Sequence, residues 1–437
     1  MIFRFNQVFW RFVYAVGNLQ FAISLLLLIS FFSSIGTFIE QEKTIDFYEV
    51  NYPISSPIFG FINSDLIISF GLNHVYTTNW FLVLILLFGS SLLACTFSRQ
   101  IPSLKMARVW KFLNKRKTNK TSGMTFSISE ASLGHFSYLL RKSDFNIIQR
   151  GNSIYAYKGL VGKVGPILVH LSIIFVLIGS VIGFLFGFIS QEIIPKGEIF
   201  HLQNVVSSGP LSFVRNDFEG YVRDFKIAYT DQGLVDQFYS DLEVLNYEMK
   251  PKLRKTIFVN EPLRYEDITF YQTDWGVLNI EVGVNNSKVM TIPLSQISLN
   301  GNSRFWVSSI GKSKNLLFVL QDLTGKYMIY SPDKVLVASG EIGHKIFIEG
   351  DELRILKIVP ETGIQVKSDP GVALVYFGFF CLIFSVVFSY TSYAQIWAVR
   401  QGNQVWIYGT TNRAIYFFEK RILDILSTMK FEVEKFI

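Results

Sequence analysis

Residues 166–189 read PILVHLSIIFVLIGSVIGFLFGFI and contain no Asp, Glu, Lys or Arg. At helical rise the stretch is about 36 Å long, enough to cross a hydrocarbon core of roughly 30 Å. Residues 21–38, 80–97 and 371–399 share the property. In lipid every backbone amide must be paired within its own segment, so each of the four is read as a transmembrane helix. Composition agrees: half of the 437 residues are apolar, only 17% are charged, and the mean hydropathy of +0.32 is too high for an ordinary soluble enzyme. Phe occurs 42 times against two Cys, which excludes a disulfide scaffold, a Cys-rich metal protein and a disordered chain.

Orientation follows from the loops. Between the second and third spans, residues 98–165 carry thirteen basic residues, including Lys115, Arg116 and Lys117, against Glu130 and Asp144. Such an excess marks the side on which the chain is made. Arg4 and Arg11 before span one, and Arg400, Arg413, Lys420 and Arg421 after span four, agree. Both termini are therefore expected inside. Residues 191–369 carry 19 basic and 23 acidic residues, so the net charge of +7 belongs to the inner segments. The basic loop reads as a topology signal and a contact for anionic lipid; no nucleic-acid partner is expected. The start of the chain, Arg-bearing and then apolar without a small-residue cleavage pattern, reads as a retained signal anchor.

The expected fold is a polytopic α-helical membrane protein of four spans, with a large extramembrane β-sandwich-like domain and a small inner α/β module. Its order is a tail and span one (1–39), an outer loop with a short interfacial helix (40–79), span two (80–97) and a basic inner loop (98–165). Span three (166–189), an outer β domain (190–370), span four (371–399) and an inner tail (400–437) follow. Runs such as 255–259, 268–272, 316–320 and 353–358 alternate and favour β-formers, with turn signals at Asn285-Asn286, Thr324-Gly325 and Ser331-Pro332-Asp333. On the inner side, Leu133, Phe136, Leu139 and Leu140 mark one helix face, and 146–157 reads as a hairpin turning at 150–152. Residues 404–408 supply a matching strand, and Phe418, Ile422, Ile425 and Met429 a second helix face, so the two pieces are expected to pack together.

Phosphate loops, CxxC, HExxH and Gly-x-Ser-x-Gly motifs are missing from the sequence, and no carboxylate or Lys/Arg lies inside a span. A self-sufficient pump or proton relay is disfavoured. Cys95 and Cys381, in different spans without a ligand-spaced companion, read as small apolar residues. His170 is the one residue of the Asp, Glu, His, Lys and Arg set within the spans. Dry in lipid, its imidazole stays neutral, the form that binds iron. From the residues alone it is either a packing histidine bonded to a neighbouring helix or a metal or haem ligand. His74, six residues before span two, is interfacial and either structural or in contact with haem. His135, His201 and His344 read as ordinary surface residues.

Several blocks in order carry a resemblance: LNHVY (72–76), WFL (80–82), LLACTFSRQIP (92–102), YAYKG (155–159) leading through GP (165–166) to His170, NEPLRY (260–265) with FYQ (270–272), DPG (369–371) and TNRA (411–414). They make the chain similar to the ResB/CcsB family of system II cytochrome c biogenesis over almost its whole length. Heavy use of Phe, Ile, Asn and Lys points to an AT-rich gene and hence to plastid members.

The resemblance implies a subunit, non-catalytic or co-catalytic, of the complex that attaches haem to apocytochromes c on the thylakoid lumen side. Its partner would be CcsA, a multi-span protein with a Trp-rich haem-handling segment that this chain lacks. It further implies that His170 ligates a haem b held transiently and shared with the partner, the second axial His coming from CcsA. Haem would then reach reduced Cys-x-x-Cys-His thiols of the apocytochrome. The implied location is the plastid thylakoid membrane, with stromal termini and a lumenal domain. Arg264, Tyr265, Tyr271, Gln272, Asp274 and Trp275 read as structural, and 369–371 as a rigid lead-in to span four. Two rivals are a membrane-anchored scaffold without haem contact and an accessory subunit of a transporter.

Overall fold

The protein is described from a computed structural model. It describes residues 10–112, 124–129, 132–215, 217–231, 234–285, 288–299, 303–310, 315–348, 350–429 and 433–436. Arg4, the run Lys115 to Lys117 and Asn286 lie outside the described residues. The chain divides into two compact units, Met1–Ser180 with Ala373–Ile437, and Val181–Val372.

Among the described residues, four helices are long and apolar enough to cross a membrane: Leu19–Phe38, Asn79–Ala107, Val161–Phe186 and Val372–Ser389. They are called spans one to four below. Span one opens on Asn18, whose side chain accepts from Gln20 N. Span two runs past the expected Phe97. It is α-helical over Asn79–Cys95, widens into a π turn over Thr96–Gln100 and resumes as Ile101–Ala107. Pro102 accounts for the change: it has no N–H for the carbonyl of Ser98 and its ring crowds that carbonyl, so the ladder shifts to Ile101 N bonding Thr96 O.

Span four ends sooner than expected, at Ser389 rather than Val399. Arg413 Nη1 donates to the terminal carbonyl of Ser389 at 2.7 Å, a cation at a helix C-terminus. Residues Ala394–Gln401 then form a strand, because Ala394, Ile396 and Ala398 alternate into a core that a continuing helix would leave open. Spans three and four meet through small residues. A Cβ on Gly165 would stand 2.4 Å from Ser389 N, and one on Gly378 2.7 Å from Val176 Cγ2.

Residues 40–78 fold into three short helical pieces, Ile45–Asn51, Ser64–Ser69 and the 3-10 turn Leu72–Thr77, rather than one helix. Tyr48, Ile67 and Val75 form their fully buried centre against Ile39 and Phe81. Among the described residues, the expected small α/β module is a six-stranded sheet in the order 146–150, 153–158, 394–401, 404–411, 124–129, 433–436. Leu133–Lys142 and Ile415–Thr428 pack on it, with Phe136, Leu140, Ile422 and Leu426 at the centre. The expected hairpin is present, Asn146 facing Tyr157 and Arg150 facing Ser153.

The second unit consists of antiparallel sheets of seven, five and four strands. Two long neighbours, Ile268–Val284 and Asp351–Ser368, run through the seven-stranded sheet. One end of the pair packs on the four-stranded sheet around Val222, Leu242, Phe270 and Ile364. The other end packs on the five-stranded sheet around Ile280, Trp306, Phe318 and Ile329. The β domain is therefore two sandwiched cores sharing two strands. Register shifts between Gln272/Asp274, Val277/Asn279 and Glu281/Val282 provide the twist that serves both.

Candidate functional site

His170 lies on the stripe of span three that faces span two. Ile173, Ile174 and Leu177, which continue that stripe at helical spacing, pack against Leu25, Phe88 and Leu92. The π turn of span two presents two polar side chains to the ring. Thr96 Oγ1 stands 2.9 Å from His170 Nδ1, and Gln100 Nε2 stands 3.1 Å from His170 Nε2.

Hydrogen-bond accounting assigns the tautomer. Thr96 Oγ1 spends its single hydrogen on Leu92 O at 2.8 Å, so towards the ring it accepts. His170 Nδ1 therefore carries the proton. Nε2 keeps its lone pair and accepts from the Gln100 amide. The other end of that amide, Gln100 Oε1, is buried with no hydrogen-bond partner among the described residues.

His74 occupies a different place. It is exposed, in the 3-10 turn before span two, and its Nδ1 donates to Asn73 Oδ1 at 2.8 Å. Gly71, at φ +67°, passes beneath it, close enough that an added Cβ would lie 3.4 Å from Nε2. Helical rise puts Asn79 and Thr96 about 26 Å apart, so His74, just before Asn79, and His170, beside Thr96, do not form one site.

The remaining readings fall into place. His135, His201 and His344 are exposed, and Cys95 and Cys381 are free thiols. Gln272 is buried with Ser240 and Thr362: its Nε2 donates to Thr362 Oγ1 at 2.7 Å, and the two hydroxyls are 2.8 Å apart. Trp275 stacks on Trp306, and Asp274 pairs with Arg304 at 2.5 Å. Tyr265 packs on Phe218. These residues hold the sheets together. Asp369 O accepts from Val372 N at 3.3 Å where span four begins.

Beyond the π turn, the α/β module holds the C-terminal end of span two. Tyr393 Oη donates to Ala107 O at 3.0 Å, and Lys163 Nζ lies 3.3 Å from Ser103 Oγ and over the Tyr393 ring. Burial, then the hydrogen bond shared with Tyr155, pushes the Tyr393 phenol above its ordinary range, so it stays protonated and able to donate. On the far side of span three from His170, Leu168, Leu171, Phe175, Phe380, Phe384 and Phe388 line an apolar groove of about 320 Å³.

The ResB-like family model matches residues 19–315 and 326–422, which include the π turn, His170, the core on the four-stranded sheet and all of the other core but its strand Leu316–Leu320. The chain belongs to the ResB-like family. It is 46% identical to a cytochrome c biogenesis protein Ccs1 of Rhodomonas salina, over 98% of this chain and 99% of that protein. It is 44% identical to the Ccs1 of Porphyra purpurea over 97% of each. To the cytochrome c biogenesis protein CcsB of Microcystis aeruginosa it is 40% identical, over 96% of this chain and 95% of that protein. For a ResB-like chain the sequence singled out His170 and missed its two partners. The available signal was a pair of polar residues four apart, Thr96 and Gln100, ahead of Pro102.

Proposed function

We propose that the chain is a membrane subunit of system II cytochrome c biogenesis, in which His170 offers Nε2 as one axial ligand to haem on its way to apocytochrome c. The observation that carries this reading is the ring's protonation pattern. Nδ1 is committed to Thr96, and Nε2 keeps a lone pair within a packed span. That pattern is the one an iron-ligating histidine needs, since the nitrogen opposite the metal must donate its proton, and it falls on the histidine that the family resemblance marks as the ligand.

The donor set fits one axial position of haem b and no more, because His74 lies too far along span two to serve as the second. The second imidazole would then come from a partner, which the family resemblance identifies as CcsA. A neutral imidazole with an apolar surround supplies a low-spin, oxidant-poor setting for such a haem. Thr96 holds the proton at Nδ1, the apolar side chains of spans two and three exclude water, and Tyr393 and Lys163 fix the inner end of span two. The sheet-rich unit would serve as a platform for apocytochrome or for the partner. The algal and cyanobacterial relatives and the basic inner segments support a thylakoid location with stromal termini and a lumenal β domain.

The test is maturation in the organism. Replacing His170 by Gly is expected to abolish covalent haem on c-type cytochromes while the chain still accumulates, with recovery on added imidazole. Covalent haem unchanged in the variant would favour a scaffold that does not touch haem.

A further inference from the structure

The Gln100 amide sits where an iron bonded to His170 Nε2 would have to be. Its Nε2 is hydrogen-bonded to the ring nitrogen at 3.1 Å. Its Oε1, buried and unpartnered among the described residues, gains nothing from staying there. An amide with one good bond and one orphaned carbonyl is held only by that one bond, so turning it away sacrifices little. The backbone that carries it is the π turn Thr96–Gln100, a local widening of the helix of a kind found at functional sites. The same turn carries Thr96, whose acceptor lone pair fixes the ring proton on Nδ1.

Resting on the ligation reading above, we infer that Gln100 is a displaceable cap on the ligating nitrogen of His170, and that Thr96 is the positioning residue that decides which nitrogen is offered. Without haem, the cap satisfies a lone pair that has no water to bond. With haem, the amide turns out and iron takes its place. The proton on Nδ1 does not move, because Thr96 continues to accept it. The cap sets a threshold on haem capture, and Thr96 sets the electron density that the imidazole gives to the metal.

The experiment uses the full chain in lipid nanodiscs, with ferric haem b as the probe and His170→Gly, Gln100→Leu, Thr96→Val and Thr96→Ser as variants. Leu keeps the bulk of Gln and removes the amide, so Gln100→Leu should bind haem about fivefold tighter, the worth of one net hydrogen bond. In Thr96→Val, ¹⁵N spectra of the histidine ring should show the protonated nitrogen divided between Nδ1 and Nε2. Any bound haem should have a more positive reduction potential. Thr96→Ser, which keeps the hydroxyl, should restore both. Haem binding lost in His170→Gly but equal or weaker in Gln100→Leu refutes the cap. An unaltered tautomer and potential in Thr96→Val refute the positioning role. Haem affinity unaffected by His170→Gly refutes the ligation reading itself, and with it the purpose of the cap, while the ¹⁵N spectra still decide the Thr96 assignment.

Discussion

Thr96 Oγ1 and His170 Nδ1 lie 2.9 Å apart although 74 residues separate them in the chain. The contact joins two spans at the level where span two changes from α to π geometry. Because Thr96 also donates to Leu92 O, the bond has one direction, and that direction makes Nε2 the basic nitrogen. Nothing in the composition of an apolar span forces this arrangement. It needs a hydroxyl, an imidazole and a proline at defined places, and all three lie in blocks that carry the family resemblance.

In the β domain, Ser240, Gln272 and Thr362 form a buried polar cluster between strands of two sheets. Gln272→Leu should lower the unfolding free energy by about 2 kcal/mol, since it leaves buried hydroxyls short of a partner. Adding Ser240→Ala and Thr362→Val should recover much of that loss. Chemical denaturation of the detergent-solubilised chain, followed by tryptophan fluorescence, measures both. A triple variant weaker than the single one would show that the cluster contributes net stability.

The contact between spans three and four depends on a missing side chain. Gly165→Ala places a Cβ 2.4 Å from backbone at Ser389, where nothing flexible can yield, and should cost about 1–3 kcal/mol. Gly89→Ala, whose Cβ would meet Leu177 Cδ1 at 3.5 Å, should change stability by about 0.5 kcal/mol or less. Thermal unfolding of the two variants in the same detergent separates them. Equal melting temperatures would contradict the close approach.

Both glycines show how far the sequence could be read. Charge-free runs placed the spans, and helical and alternating periods placed the inner module through Phe418, Ile422 and the 150–152 turn. Periodicity failed where two structures bury the same residues. Ala394, Ile396 and Ala398 follow an apolar helix with no charge before Arg400, so only their partner strands reveal them as a sheet. The π turn was hidden for a related reason. Pro102 signals a break, but a proline alone does not say whether the helix stops there or continues with Ile101 N bonded to Thr96 O. The two cores of the β domain depend on which sheet each half of the long strands faces, a non-local property.

Arg215 is surrounded by carboxylates, donating to Asp217, to Glu266 at 2.5 Å and to Asp267 at 2.8 Å. Its bonds hold the Asp217 carboxyl below the ordinary range. A depressed folded value stabilises the fold above the unfolded pKa of about 3.9, and that stabilisation is lost as pH falls through the folded value. Arg215→Met should therefore reduce stability at pH 7 by about 1 kcal/mol, a modest figure because the carboxylates are partly exposed. The difference from wild type should shrink below about pH 4. Melting temperatures between pH 3 and pH 7 test this, and a difference independent of pH would assign the loss to packing.

The most direct measurement is the reduced optical spectrum of the chain purified with CcsA, the partner proposed above, in wild type and His170→Gly. The account predicts a bis-imidazole haem in the first, its loss in the second, and its return when imidazole fills the space left by the side chain. The same spectrum and haem content in His170→Gly without imidazole would contradict it.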